Sequence, residues 1–138
     1  MQKRFYFDTS IWLDFFENRN EPNFPKGDRA RELVRKIIKE GGCLIMSEAV
    51  KNEMLERGYS RYDIENMLFS FRRFIVNVYS TKRQFGKARD LSKKRNIPLF
   101  DALHALIARD NQAIMVTRDH HFDKILDIIK YKKPEELI

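Results

Sequence analysis

The sequence predicts an α/β fold: a central parallel sheet of four to five strands with helices on both faces. Two observations predict it. Short β-branched and aromatic runs alternate with longer amphipathic segments along the chain, the pattern of βαβ units joined by right-handed crossovers. At 138 residues, 43% hydrophobic and 34% charged, the chain has enough apolar material for one core and is read as one domain over residues 1–138.

The elements follow in order. Residues 4–7, Arg-Phe-Tyr-Phe, read as an aromatic strand, and residues 9–17 as a helix carrying Ile11, Trp12, Phe15 and Phe16. Residues 18–27 are rich in turn formers and read as a loop. Asp28 is placed to cap a helix over 29–40, whose Leu33, Val34, Ile37 and Ile38 form a 3.6-period stripe before Gly41-Gly42 ends it. Cys-Leu-Ile-Met at 43–46 is a buried strand. Ser47 caps a helix ending near Gly58, and Ser60 caps another with Ile64, Leu68 and Phe71 at i, i+4 and i+7. Residues 74–79 form a third strand and 82–95 a helix with a thin apolar stripe (Phe85, Ala88, Leu91). Pro98 fits the first turn of a helix over 99–110. A fourth strand at 113–116, a short helix over 120–126 and an edge strand over 127–131 complete the pattern. The sequence carries no internal repeat, low-complexity segment or interdomain linker.

Lys plus Arg outnumber Asp plus Glu by 27 to 20, a net charge of +7 that fits a polyanionic partner. The one cysteine, Cys43, excludes an internal disulfide and a Cys-based zinc site, fits a reducing compartment, and itself reads as a core residue. The start Met1-Gln-Lys-Arg is basic, but only Phe5-Tyr-Phe follows before Asp8, too little for a signal peptide. No run approaches the ~20 apolar residues of a membrane span. The expectation is a cytoplasmic protein with no membrane partner.

Open parallel sheets bind ligands beyond the carboxyl ends of their strands. Asp8 follows the first strand there, and Thr117-Arg118-Asp119 follows the fourth. Each aspartate also has the position of a helix N-cap. Glu53 falls on or beside the apolar face of its helix, where a carboxylate is costly unless paired, protonated or bound to a metal. Asp101 stands in the first turn of Leu99-Phe-Asp-Ala-Leu-His-Ala-Leu-Ile-Ala108, a helix apolar nearly all round, where it could equally serve the helix dipole. Spacing alone does not join Asp8 to Asp101; the assumed sheet does. Two unit charges ~4 Å apart repel by roughly 4 kcal/mol at an effective dielectric of 20, so converging carboxylates raise their pKa values or take a cation. An all-oxygen site suits Mg²⁺ or Mn²⁺, and with a basic protein around it the natural chemistry is phosphodiester hydrolysis.

Four stretches carry a resemblance: Phe7-Asp8-Thr9-Ser10-Ile11-Trp12, Met46-Ser47 with Asn52-Glu53-Met54, Pro98-Leu99-Phe100-Asp101-Ala102-Leu103-His104-Ala105, and Val116-Thr117-Arg118-Asp119 with Phe122. In this order, over essentially the whole chain, they resemble the PIN-domain family of the small, VapC-like kind. The resemblance implies a three-layer α/β/α fold and a Mg²⁺- or Mn²⁺-dependent endoribonuclease acting on RNA. It implies an acidic quartet of Asp8, Glu53, Asp101 and Asp119, with the Thr117 hydroxyl supporting the site. It also implies a toxin held by a small antitoxin protein, and a homodimer.

Outside the quartet, Arg118 is a candidate phosphate contact. The helix over 82–95 carries Lys82, Arg83, Lys87, Arg89, Lys93, Lys94 and Arg95 against the single acid Asp90, which reads either as a phosphate-binding flank or as a solvated face. His104, three residues after Asp101, reads as a partly buried helix histidine within reach of the site, and no role falls on His120 and His121. Trp12, Tyr62 and Phe69 are core or interface residues. Three other readings compete: a solitary RNA-processing nuclease, a non-catalytic RNA-binding module on the same fold, and a haloacid-dehalogenase-like phosphatase with Asp8 as nucleophile. The last expects an acid two residues later, where this chain has Ser10.

Overall fold

The computed structural model describes residues 2–138; Met1, at the head of the basic start, lies outside them. Five parallel strands form the sheet: β1 (Arg4–Phe7), β2 (Cys43–Ser47), β3 (Ile75–Val78), β4 (Ile114–Val116) and β5 (Tyr131–Lys132), in the order β3-β2-β1-β4-β5. Six α-helices accompany it: α1 (Thr9–Glu17), α2 (Lys26–Lys39), α3 (Glu48–Glu56), α4 (Arg61–Leu68), α5 (Lys82–Arg95) and α6 (Leu99–Asp110). Successive strand residues point to opposite faces. Phe5, Tyr6 and Phe7 of β1 are nevertheless all buried, as is every residue of β2, so both faces of the central strands are covered and the fold has three layers.

The strand order fixes where a ligand can sit. From β1 the chain builds outward through β2 and β3 on one side and through β4 and β5 on the other. The order therefore reverses between β1 and β4, and their carboxyl ends flank the crevice. Asp8 N–H extends the ladder to Val116 O at 3.1 Å, which holds the two strand ends side by side.

Several boundaries move from their predicted places, each for a local reason. Helix α2 starts at Lys26, so Asp28 lies in its first turn and does not cap it. Residues of the preceding loop satisfy the orphan donors: Asn20 Oδ1 accepts from Asp28 N–H at 3.1 Å and Arg19 O from Gly27 N–H at 3.0 Å. The Ile64–Leu68 stripe is buried as predicted, but α4 ends at Leu68, and Phe71 reaches the core from a 3₁₀ turn, Phe69–Phe74, that leaves helical geometry at Phe71 itself. Residues 120–125 are 3₁₀ and not α. The predicted edge strand over 127–131 is instead a turn, because Ile128 and Ile129 N–H both return to Ile125 O; pairing with β4 begins only at Tyr131. Helix α6, by contrast, spans its predicted residues, with Pro98 as the N-cap immediately before its first turn. Gly41 has φ +77°, a left-handed turn that redirects the chain from α2 into β2. Cys43 and Trp12 are buried, whereas Tyr62 and Phe69 are exposed. Among the described residues no helix is long and apolar enough to cross a membrane.

Candidate active site

Asp8 ends β1 and caps α1: its Oδ1 accepts from Ile11 N–H at 3.1 Å and from Ser10 Oγ–H at 2.9 Å. Its other oxygen accepts from the Thr117 hydroxyl at the end of β4. Thr117 Oγ1 in turn accepts from Asp119 N–H at 3.0 Å, so one hydroxyl ties the two strand-end acids together. Asp8 is 5% exposed, and burial pushes its carboxyl above the usual range against the pull of these hydrogen bonds.

Asp101 rises from the first turn of α6. Its Oδ2 lies 2.9 Å from His121 Nδ1, and Asp119 Oδ2 lies 3.1 Å from the same nitrogen. Burial raises the Asp101 carboxyl; the His121 hydrogen bond opposes the rise, and the charges of Asp119 and Asp8 add to it. Asp8, Asp101 and Asp119 thus converge at the crevice between β1 and β4, close enough for the first and last to disfavour charge on the second.

Glu53 reaches the same edge from α3. Thr9 Oγ–H donates to its Oε1 at 2.6 Å, and His104 Nε2 donates to the same oxygen. Burial alone would raise its carboxyl, but these bonds and the nearby Arg57 overrule it and hold Glu53 below the usual range. His104 is buried on α6 at 1% exposure, and its Nδ1 faces the Tyr6 hydroxyl at 2.5 Å. That hydroxyl meets Ser47 Oγ at 2.7 Å, and Ser47 Oγ accepts from Val50 N–H at 3.1 Å. A continuous polar chain therefore runs from the cap of α3 through β1 to the Glu53 carboxylate, with every buried member satisfied. His104 serves Glu53 and not Asp101, three residues away on the same helix.

Arg118 points away from the acids. It pairs with Glu135 at 2.8 Å and lies 4.6 Å over the Phe24 ring, beside a cavity lined by Ser10, Asp14, Arg19, Asn20 and Lys26. Asp14 there pairs with Arg19 at 3.0 Å; burial raises its carboxyl against that arginine's charge. His120 turns outward toward Asp123 at 3.4 Å.

The donor set suits a hard divalent cation. Two carboxyls, the buried Asp8 and the half-buried Asp101, are held above their ordinary range by desolvation, the second also by its acidic neighbours, and a cation among them would offset that cost. The tightest group among the described residues is Asp101, Asp119 and His121, with one donor atom of each within 4.8 Å of the others; Asp8 and Glu53 stand outside it, held by Thr117 and His104. Sequence reasoning assigned no part to Tyr6 or His121, gave Ser47 only the cap of α3, and placed His104 within reach of the site without its Glu53 partner. The legible signals were modest: a tyrosine inside a buried strand and a histidine in a helix apolar nearly all round, both polar groups in need of partners.

No match is found among curated proteins. Several solved structures share the fold. A chain of a toxin–antitoxin complex from Klebsiella pneumoniae matches at TM-score 0.66 and 15% identity, over 94% of this chain and 97% of that one. A chain of VapBC2 from Rickettsia felis, bound to a DNA fragment from its promoter, matches at TM-score 0.66 and 14% identity, over 94% and 98%. A chain of FitAcB from Neisseria gonorrhoeae matches at TM-score 0.62 and 19% identity, over 96% and 99%. The family model described as PIN domain matches residues 5–127, from β1 through the turn after β4. With that match spanning all four strand-end and helix-borne acids, the chain belongs to the PIN-domain family.

Proposed function

We propose that this protein is a divalent-metal-dependent endoribonuclease that hydrolyses RNA phosphodiester bonds, and that it is the toxin of a toxin–antitoxin pair. The observation that carries the reading is the convergence of Asp8, Asp101 and Asp119 at the β1–β4 crevice, with Glu53 locked beside them by His104. Asp8, Asp101 and Asp119 would hold Mg²⁺ or Mn²⁺, with Glu53 as a further ligand or as the acceptor that orients the attacking water. Bound there, the cation would supply charge neutralisation at the phosphoryl oxygens and acidify a water. The chain's own residues do the positioning. Thr117 fixes the Asp8 carboxylate, and His104 and Thr9 keep Glu53 ionised and aimed. An ionised Glu53 can accept a proton from the water that attacks phosphorus.

Binding of the RNA backbone falls to cations. Arg118 is a phosphate contact only if it leaves Glu135, because its Nε and Nη2, although without a hydrogen-bond partner among the described residues, are buried. An antitoxin partner is supported by the toxin–antitoxin complexes among the structural relatives. The exposed rings of Tyr62 and Phe69 add support, since aromatics are enriched at protein interfaces. A homodimer belongs to the same reading.

The test is cleavage of a mixed pool of structured and single-stranded RNAs with Mg²⁺, with Mn²⁺ and with chelator, beside Asp101→Asn purified identically. The expected result is metal-dependent cutting, reduced on the order of 100-fold or more in the variant with its circular dichroism unchanged. Equal cutting by the folded variant would overturn the assignment. RNA binding with no turnover in any divalent metal would move the reading to a non-catalytic module.

A further inference from the structure

His121 sits where the metal reading has so far placed only oxygen. It lies two residues after Asp119 in the 3₁₀ turn His120–Ile125. Asp119 caps that turn by accepting from His121 N–H through Oδ1 at 2.9 Å. The cap fixes the histidine backbone against the acid and brings Asp119 Oδ2 to 3.1 Å from His121 Nδ1. Asp101 Oδ2, arriving from a different element, lies 2.9 Å from the same nitrogen. The neighbouring His120 shares none of this; it is turned to Asp123. The His121 side chain is 50% exposed, against 17% for Asp101, so the ring forms the solvent-facing wall of the group.

These separations are those of a coordination shell. Adjacent ligands on an octahedral ion with bonds of about 2.1 Å stand about 3.0 Å apart. The two oxygen–nitrogen distances bracket that figure with no change of rotamer. A salt bridge gives the same distances, and the experiment below separates the two cases; the donor type bears on which ion the group would prefer. Mg²⁺ dehydrates reluctantly and prefers oxygen, whereas affinity for imidazole climbs through the first-row transition ions.

We infer that His121 is a nitrogen ligand of the divalent ion, completing a group with Asp101 and Asp119, and that it biases the site toward Mn²⁺ and later first-row ions over Mg²⁺. This inference rests on the metal-dependent reading above. A bound ion would take the Nδ1 lone pair, so that nitrogen would have to carry no proton in the loaded site. His121 thereby distinguishes this centre from one built of carboxylates alone.

The experiment is pulsed electron paramagnetic resonance on the full chain, stripped with chelator and loaded with Mn²⁺, for wild type, His121→Gln and Asp101→Asn. Calorimetric titration with Mn²⁺ and with Mg²⁺ accompanies it. A directly bound imidazole imprints nitrogen modulation on the Mn²⁺ echo. The expected result is modulation in the wild type, lost in His121→Gln, together with an Mn²⁺-to-Mg²⁺ affinity ratio that narrows by roughly 10-fold or more in that variant. Mn²⁺ bound in the wild type and lost in Asp101→Asn, but without nitrogen modulation, would overturn the ligand role. His121 would then be a counter-charge only, and the nuclease reading would stand. Modulation that survives in His121→Gln would also overturn it, pointing to His104. No Mn²⁺ bound by the wild type would sink this inference and the metal-dependent reading together.

Discussion

Asp8 and Glu53 are both carboxylates at one sheet edge, yet their surroundings push them in opposite directions. Asp8 is raised by burial despite three hydrogen bonds; Glu53 is lowered because His104 and Thr9 outweigh its burial. The consequences for stability have opposite signs. A raised native pKa means the folded chain binds more protons than the unfolded one. Asp8 therefore costs stability as pH rises above the ordinary aspartate range, the cost growing until pH passes its raised native value. A lowered native pKa contributes stability present above the ordinary glutamate range and lost as pH falls through the native value, which is Glu53's case. Asp8→Asn should therefore raise the melting temperature at pH 7 in chelator, while Glu53→Gln should lower it. A divalent cation reverses the order. At 100 times its Kd it would stabilise the wild type by about 2.7 kcal/mol, and Asp8→Asn should lose most of that gain. Thermal melts of the three proteins, with chelator and with Mn²⁺, check both signs. A destabilised Asp8→Asn in chelator would show that its hydrogen bonds outweigh its burial.

Elements whose signals are local were legible in the sequence. Thr81 and Gln84 form a capping box, and α5 spans the residues its pattern predicts. Ser60 with Asp63 does the same for α4. What was not legible depends on partners distant in the chain. Helix α2 begins early because Asn20, eight residues back, supplies the cap. Strand β5 exists only through its pairing with β4. The site divides the same way. The four acids announced themselves by following strands or lying on apolar helix faces. The groups that orient them could not, since His104 meets Glu53 across 51 residues and Tyr6 across 98. Ser47 joins the two levels, as the cap of α3 and the far end of the chain to Glu53. Ser47→Ala leaves the Val50 N–H without its acceptor in a fully buried setting, so it should cost about 1–2 kcal/mol. Ser60→Ala removes an exposed cap and should fall at the lower end of that range. Urea titration of both variants checks the order, which reverses if the buried polar chain contributes nothing.

Across the whole molecule, acids and bases intermix in surface ion pairs except at one place. Four of the twenty acids meet at one crevice, on a chain whose net charge is nevertheless +7. A phosphate backbone is repelled by the bare carboxylates and has to be brought to them by cations placed nearby. Helix α5 offers such cations under the proposed reading. Its last turn holds Lys93 and Lys94, both exposed, and the chain turns back at Asn96, in left-handed geometry at φ 51°, to enter α6. Asp101 then follows in the first turn of α6. Lys94 has only an exposed partner, Asp90, at 3.7 Å, a pairing that water and salt weaken at little cost. Arg95, by contrast, is committed to Asp127 through two hydrogen bonds. The two lysines are therefore uncommitted cations at the end of α5 that leads into the Asp101 helix, open to a phosphate backbone. Counterion release makes this measurable, because each phosphate contact with a single strand contributes about 0.7 to the slope of log K against log salt. The pair Lys93→Ala and Lys94→Ala should flatten that slope by about 1.4 in Asp101→Asn protein, where binding is read without cutting. The loss of affinity should be greatest at low salt and shrink as salt rises, with the melting temperature unchanged. An unchanged slope would make this end of α5 a solvated face and pass the work of holding the backbone to Arg118.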